Sequence, residues 1–396
     1  MKIAFIGQKG IPFTFGGVEN HVESLATRLV KEGQEVTVYC RQWYTQTTPS
    51  NYQGVSLRYT KSLHSKNLDA ISGSLTATLD AMRRGFDIIH YQGVGPALLS
   101  WIPRIFAPQI KVVVTFHCQD RLHGKWGLLA RLALALGERA ACYFPHETVV
   151  VSKTLKDYVA KKYHCQATYI PNGVTLPENF SPTDILNRLG LQKKNYILAV
   201  TRLISHKSVH NLIEAFNALK QDNTQALTQG LKLVIVGEGF YTDKYVQQLK
   251  QLAQDNPEVI FAGWQGGVDL QTLYQEAKLF VHPSVSEGLP LVVLEAMSYG
   301  LPVVVSNIPE HQELISDKRF SFAVGQSADL QRVLFWCLQN PEILQATGQA
   351  NFRLVKQDYN WDQSARQLNE VYQKLKLTAD PITIRPSVKK VGFKVY

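Results

Sequence analysis

Short apolar runs with few polar interruptions recur along the chain, and stretches with helical spacing separate them. KIAFIG (2–7) precedes GVENHVESLATRLVKEG (17–33), whose apolar positions repeat every three to four residues. EVTVYC (35–40), DIIHYQG (87–93), KVVVTFH (111–117) and TVVVS (148–152) follow. Such runs suit parallel strands covered on both faces. The alternation predicts one doubly wound α/β domain over 1–172. Residues 173–194, rich in Pro, Asn, Gly and Thr, read as a linker. The pattern then restarts with YILAVTRL (196–203), LKLVIVGEG (231–239), VIFAG (259–263), KLFVHPS (278–284) and LPVVVS (301–306). This predicts a second α/β domain over 195–355. Residues 356–377 read as a helix returning to the first domain. Residues 378–396, with two prolines and scattered lysines, read as a loose basic tail.

The chain has 396 residues, too many for one ordinary core, which agrees with two domains. A hydrophobic content of 45% with 19% charged residues excludes a disordered chain. The net charge of +10 is uneven: residues 1–180 hold 20 Lys and Arg against 12 Asp and Glu, residues 181–396 hold 22 against 20. A basic first half fits a phosphate-bearing partner, whether nucleic acid, anionic membrane or a pyrophosphate-linked substrate; it also fits a generally basic protein. The five cysteines have no CxxC spacing and read as reduced thiols of a cytoplasmic protein. No signal peptide is visible ahead of KIAFIG. The most apolar stretch, WGLLARLALALGERAACYF, is interrupted by Arg131 and Glu138–Arg139.

Ligands of doubly wound sheets bind beyond the carboxyl ends of the strands. Four stretches there carry chemistry. After the first strand, GQKGIPFTFGGVENHV places Gly16 and Gly17 at a helix start, where backbone N–H groups can meet an anion. A plain βα turn would look the same, and neither GxGxxG nor GxxxxGK[ST] is present. VTRLISHKS sets Arg202 and Lys207 five apart, able to grip a diphosphate as fork and point charge, or simply to be solvated. VVTFHCQD puts His117 and Asp120 at a strand end, for polar or acid–base work or a structural role. RLHGKWGLLARL then arranges Arg121, Lys125 and Arg131 around Trp126, a stripe suited to a lipid phosphate or to an ordinary amphipathic face.

The fourth stretch, HPSVSEGLPLVVLEAMSYG, places two carboxylates eight apart in an otherwise apolar run. Gly288 permits close backbone approach, and Pro290 fits the first turn of a helix. Glu287 then lies on the loop and Glu295 on the helix, each reaching a different part of one elongated ligand. Alternatively, Glu287 complements the helix dipole and Glu295 pairs with a buried cation. D-x-D, H-E-x-x-H and G-x-S-x-G do not occur.

Together Glu287-x7-Glu295, Arg202 with Lys207, the Gly16–Gly17 loop and IPNGV (170–174) resemble the family 4 glycosyltransferases of GT-B fold, across residues 1 to about 377. GIPFTFGGVENHVE and DRLHGKWG look like the branch of rhamnosyltransferase-like enzymes of bacterial surface polysaccharide synthesis. The resemblance implies two Rossmann-like domains facing across a cleft, and retaining transfer from a nucleotide diphosphate sugar without a metal or cofactor. It implies that Arg202 and Lys207 hold the diphosphate with Gly16 and Gly17. Glu287 would meet sugar hydroxyls beside Gly288, Leu289, Pro290 and Leu291. Glu295 would bind the ribose, Gly263 and Trp264 would lie near the base, and His117 near the sugar. Asp120, Arg121, Lys125 and Trp126 are the acceptor-side candidates. The expected acceptor is a glycan or a polyprenyl-diphosphate-linked one, with peripheral contact to an anionic membrane at the inner face of the plasma membrane and no nucleic acid. Thr201 replaces the first glycine of the usual glycine-arginine-leucine, and Ser208 replaces the glycine after the lysine. The rival readings are a glycoside hydrolase, a GT-B sugar-nucleotide epimerase and a non-catalytic nucleotide-sugar-binding subunit.

Overall fold

The computed structural model of the chain describes residues 1–45, 47–63, 68–122, 127–221, 225–239 and 242–377. It divides into two compact units, one of residues 1–172 with the helix Trp361–Leu377, the other Gly173–Asn360.

In the first unit the strands are β1 (Lys2–Ile6), β2 (Glu35–Arg41), β3 (Asn51–Tyr52), β4 (Val55–Thr60), β5 (Ile88–Gln92), β6 (Lys111–Phe116), β7 (Glu147–Val150) and β8 (Thr168–Tyr169). They form one sheet in the order β3-β4-β2-β1-β5-β6-β7-β8, parallel except at β3–β4. Ile3 to Ile6, Ile88 to Gln92 and Val112 to Phe116 are buried without alternation, as expected where helices cover both faces. The helix Trp361–Leu377 completes this unit. Arg28 reaches Asp362 at 2.6 Å, and buried Tyr372 meets His90 Nδ1 at 2.6 Å.

The second unit holds β9 (Tyr196–Val200), β10 (Lys232–Val236), β11 (Val259–Gly263), β12 (Leu279–His282), β13 (Val303–Ser306) and β14 (Ser321–Phe322). Their order is β11-β10-β9-β12-β13-β14, all parallel. Chain order reverses between β9 and β12, so the loops after these two strands leave in opposite directions and open a crevice at their carboxyl ends.

Two boundaries differ from the sequence reading. Residues 173–194, read as a linker, are part of the second unit. Val174 bridges to Asn360, Ile185 and Leu186 are buried, and Arg188 pairs with Asp269 at 2.6 Å. The expected break at 355–356 falls inside the helix Pro341–Asp358; the chain turns instead at Tyr359–Asn360 before the helix Trp361–Leu377. Nothing in the residues around 355 caps or breaks a helix. The tail 378–396 lies outside the described residues.

Candidate active site

In the second unit Arg202, Lys207 and Glu287 fall at the β9–β12 reversal. Arg202 follows β9, is exposed, and makes no side-chain hydrogen bond or ion pair among the described residues. Five residues on, the 3-10 turn Ser205–Lys207 carries Lys207 inward. Its Nζ sits against Glu287 Oε1, both side chains nearly buried. His282, at the end of β12, donates from Nε2 to the same oxygen at 2.7 Å. Burial alone would raise the Glu287 carboxyl; the Lys207 charge and the His282 bond outweigh it and hold the group well below the usual carboxylate range. Burial lowers His282, so at neutral pH it is an uncharged donor.

Behind this pair lies His311, after β13. Its Nδ1 meets the Ser306 carbonyl at 2.9 Å, and its ring lies 5.3 Å from that of His282, edge to face. Burial pushes His311 down to about 3. His282 Nδ1 and His311 Nε2 are buried with no hydrogen-bond partner among the described residues. His282, Glu287 and His311 offer ligand atoms within 4.8 Å of one another, a set that could take a metal ion. The Lys207 ammonium already occupies the carboxylate, and a divalent ion there would have to displace it or bear its repulsion.

Glu295 stands in a separate network. Pro290 is the N-cap, one residue before the helix begins at Leu291, and Gly288 and Leu289 are buried beneath the loop. The first N–H groups of this helix have no acceptor within it. Glu295, on the second turn, accepts from Tyr274 Oη at 3.1 Å and pairs with no cation among the described residues. Burial raises its pKa, partly offset by that bond. Tyr274 stacks on Tyr299 at 5.5 Å and 14°. At the end of β11, Gly263 has φ +67, and Trp264 after it is half exposed, its N–H 3.4 Å from Glu238 Oε1.

The two departures from the usual cation loop have local accounts. Ser208 adopts φ +51, the left-handed region where glycine is favoured. Thr201 is not among the described residues with positive φ; the close approach is made by Gly237, whose Cβ would lie 1.9 Å from the Thr201 carbonyl oxygen.

In the first unit Gly16 caps the helix Gly17–Lys31 with φ +112. A Cβ there would lie 1.9 Å from Glu19 Oε2, and the other oxygen of that buried carboxylate accepts from Lys9 N–H at 3.0 Å. The helix start that was read as an anion seat therefore has its own carboxylate beside it. His117 bonds Gln92 Oε1 through Nε2 at 3.0 Å and lies 4.6 Å from the ring of His21. Burial, then His21 and His90, hold His117 well below the ordinary histidine value, so it is neutral. Cys118 Sγ lies 3.3 Å from Asp120. Arg121 is tied down: Nε donates to both oxygens of fully buried Glu138 at 3.1 Å, and one terminal nitrogen to Tyr158 at 3.1 Å. Tyr158 and Tyr163 also donate to Glu138, at 2.7 and 2.6 Å. Lys125 and Trp126 lie outside the described residues.

Sequence reading missed His282, His311, Tyr274 and Glu238. The two histidines were discoverable, since His282 ends β12 and His311 lies just beyond β13. Tyr274 carried no signal, because its partner is 21 residues away.

Comparison with known proteins identifies the family. Residues 183–354 match the family model "Glycosyl transferases group 1", and residues 15–177 match "Glycosyltransferase Family 4". The chain is 28% identical over 327 residues to alpha-monoglucosyldiacylglycerol synthase of Streptococcus pneumoniae, covering 77% of this chain and 71% of that one. It is 31% identical over 254 residues to UDP-Gal:alpha-D-GlcNAc-diphosphoundecaprenol alpha-1,3-galactosyltransferase of Escherichia coli, covering 60% and 62%. Among solved structures, sucrose-phosphate synthase from Thermosynechococcus elongatus superposes with TM-score 0.80 at 20% identity, covering 94% and 98%. HepE of Anabaena, in complex with UDP, gives 0.74 at 20% identity, covering 94% and 100%. The two matched regions account for most of the chain, each on one Rossmann-like unit: the chain belongs to the family 4 glycosyltransferases of GT-B fold.

Proposed function

We propose that this glycosyltransferase moves a sugar, with retention, from a nucleotide diphosphate sugar to a glycan or polyprenyl-diphosphate-linked acceptor in surface polysaccharide synthesis. The observation that carries the donor half is Arg202, an exposed cation without a partner among the described residues, five residues before Lys207, which pairs with Glu287 at the strand reversal of the second unit. One relative named for a diphosphoundecaprenol-linked substrate, and another named for making a glucosyldiacylglycerol, support a lipid-linked acceptor.

In this reading Arg202 and Lys207 neutralise the charge that builds on the leaving nucleoside diphosphate, and the helix N-terminus after Pro290 adds N–H donors. Glu287 keeps one oxygen on Lys207 and His282 and offers the other to sugar hydroxyls. Glu295, steadied by Tyr274, takes the ribose diol. Gly263 and Trp264 meet the base. In the first unit His117 is available as a neutral polar group, and Gly16 and Gly17 as the start of a helix. The acceptor hydroxyl bonds to the anomeric carbon on the face the diphosphate leaves. Its proton passes to a phosphate oxygen of the leaving group, so no side chain becomes covalently attached.

Incubation with UDP-, GDP- and dTDP-sugars and a polyprenyl-diphosphate acceptor tests this. The expected result is acceptor-dependent consumption of one donor, an axial or equatorial product matching the donor anomer by NMR, and no loss of rate with chelator. Arg202→Ala should lower kcat/KM by roughly a hundred-fold or more. Wild-type turnover by that variant, or donor consumption without acceptor, would overturn the assignment.

A further inference from the structure

Outside the strand-end residues, the helix Leu128–Tyr143 of the first unit is the most unusual surface. Its C-terminal half is firmly mounted. Gly137 passes so close to the Val94 carbonyl that a Cβ would lie 2.2 Å from it, and Glu138 is held by Arg121, Tyr158 and Tyr163. Its N-terminal half carries leucines into solvent: Leu128, Leu129, Leu132 and Leu136 are 85%, 83%, 60% and 52% exposed. Residues 128, 132 and 136 are successive i,i+4 positions with 129 alongside, so these leucines share a face. Isolated exposed leucines are ordinary; four on one rigid helix face are not.

The charge around this face has one sign. The helix carries three charged residues, Arg131, Glu138 and Arg139, and the acid among them is buried. Arg131 and Arg139 are exposed on the same helix. A cavity of about 320 Å³ opens beside it, lined by Arg121, Leu128, Arg131, Leu132 and Ala135. The Arg131 guanidinium over an apolar floor of Leu128, Leu132 and Ala135 suits a phosphate carried on a hydrocarbon chain, while Arg121 stays on Glu138. A second copy of the chain would bring Arg131 and Arg139 against their own like in a protein of net charge +10. The interface of an anionic bilayer supplies both an apolar layer and negative phosphate.

We propose that the face formed by Leu128, Leu129, Leu132 and Leu136, with Arg131 and Arg139, seats this protein on an anionic lipid surface. The leucines enter the boundary between headgroups and acyl chains, and the arginines take lipid phosphates. No helix among the described residues is long and apolar enough to cross a membrane, so the attachment is lateral and reversible.

Sedimentation of the full chain with vesicles of phosphatidylcholine, alone or with roughly one third phosphatidylglycerol, tests it. Binding should require the anionic lipid and weaken as salt rises from about 0.1 M to about 1 M, where the screening length drops from about 10 Å to about 3 Å. Leu128→Gln, Leu129→Gln and Leu132→Gln together should weaken partitioning by on the order of a hundred-fold. Arg131→Gln should weaken it about five-fold, on anionic vesicles only. Circular dichroism should show both variants folded, since the changed side chains lie in solvent. Arg202→Ala should bind vesicles like wild type even if it transfers no sugar, which separates this proposal from the transfer reading. Equal sedimentation of the leucine variant and wild type would overturn it, as would salt-independent binding to neutral vesicles. Light scattering that finds a lipid-free dimer, abolished by the leucine changes, would assign the face to a second copy instead.

Discussion

At the residue scale the two glutamates of SEGLPLVVLE differ in everything but charge. Glu287 shares one oxygen between an ammonium and a neutral imidazole and is firmly ionised. Glu295 has a single phenol donor, and burial raises its pKa. Glu287→Gln would leave Lys207 nearly buried without a counter-charge and, on the proposed reading, weaken the oxygen offered to sugar hydroxyls. The expected outcome is a fall in kcat of roughly a hundred-fold. Glu295→Gln should instead raise donor KM roughly ten-fold and leave kcat within about two-fold. Steady-state kinetics on the two variants read both; equal effects on both parameters would contradict the division. The positions of these carboxylates on loop and helix were legible from Gly288 and Pro290. Their partners were not. Lys207 and Glu287 are 80 residues apart, and only the parallel order β9–β12 brings them together. Arg121 shows the opposite failure. Its neighbours in the chain made it look like a ligand group, while its tertiary partner Glu138 makes it a structural anchor.

At the scale of elements, apolar runs marked the strands covered on both faces, whereas interior β4, where exposed Ser56 stands between buried Val55 and Leu57, was not marked. The edge strands β3, β8 and β14 have two residues each, too few for any period to show. Between elements, the helix Gly267–Glu276 supports the helix Leu291–Ser298 through Tyr274 and Glu295. Tyr274→Phe keeps the ring stacked on Tyr299 and removes only the hydroxyl. Donor KM should rise about three- to ten-fold at unchanged kcat, with thermal stability within about 1 kcal/mol. A fall in kcat alone would assign Tyr274 another task. The turn after Lys207 carries a different prediction. Ser208 stands at φ +51 without a side-chain hydrogen bond among the described residues. Ser208→Gly should relieve that strain and stabilise the protein by roughly 0.5–1 kcal/mol, measured by urea unfolding.

At the scale of the whole molecule, both units hold histidines that burial keeps neutral. His21 is lowered to about 4 and His311 to about 3, and His90 and His117 lie well below 6.5. A group with a lowered folded pKa contributes fully above its unfolded value, and that contribution is lost as pH falls toward the folded one. Stability should therefore be level above about pH 6.5 and fall steadily between about 6.5 and 4, by up to ~1.4 kcal/mol per unit for each such histidine. Denaturant midpoints across this range check it; His21→Gln should flatten the slope. Flat midpoints down to pH 4 would mean the rings are solvated. The first unit also has a history written into its connectivity. His90 is wholly buried, and its Nδ1 partner Tyr372 comes 282 residues later. At synthesis rates of about 5–20 residues per second, the β-sheet around His90 waits on the order of half a minute for its last helix. The second unit is continuous from Gly173 to Asn360 and can form in that interval. The nascent first unit therefore spends most of its synthesis with an unfilled groove, and the final helix is the latch that closes it over His90.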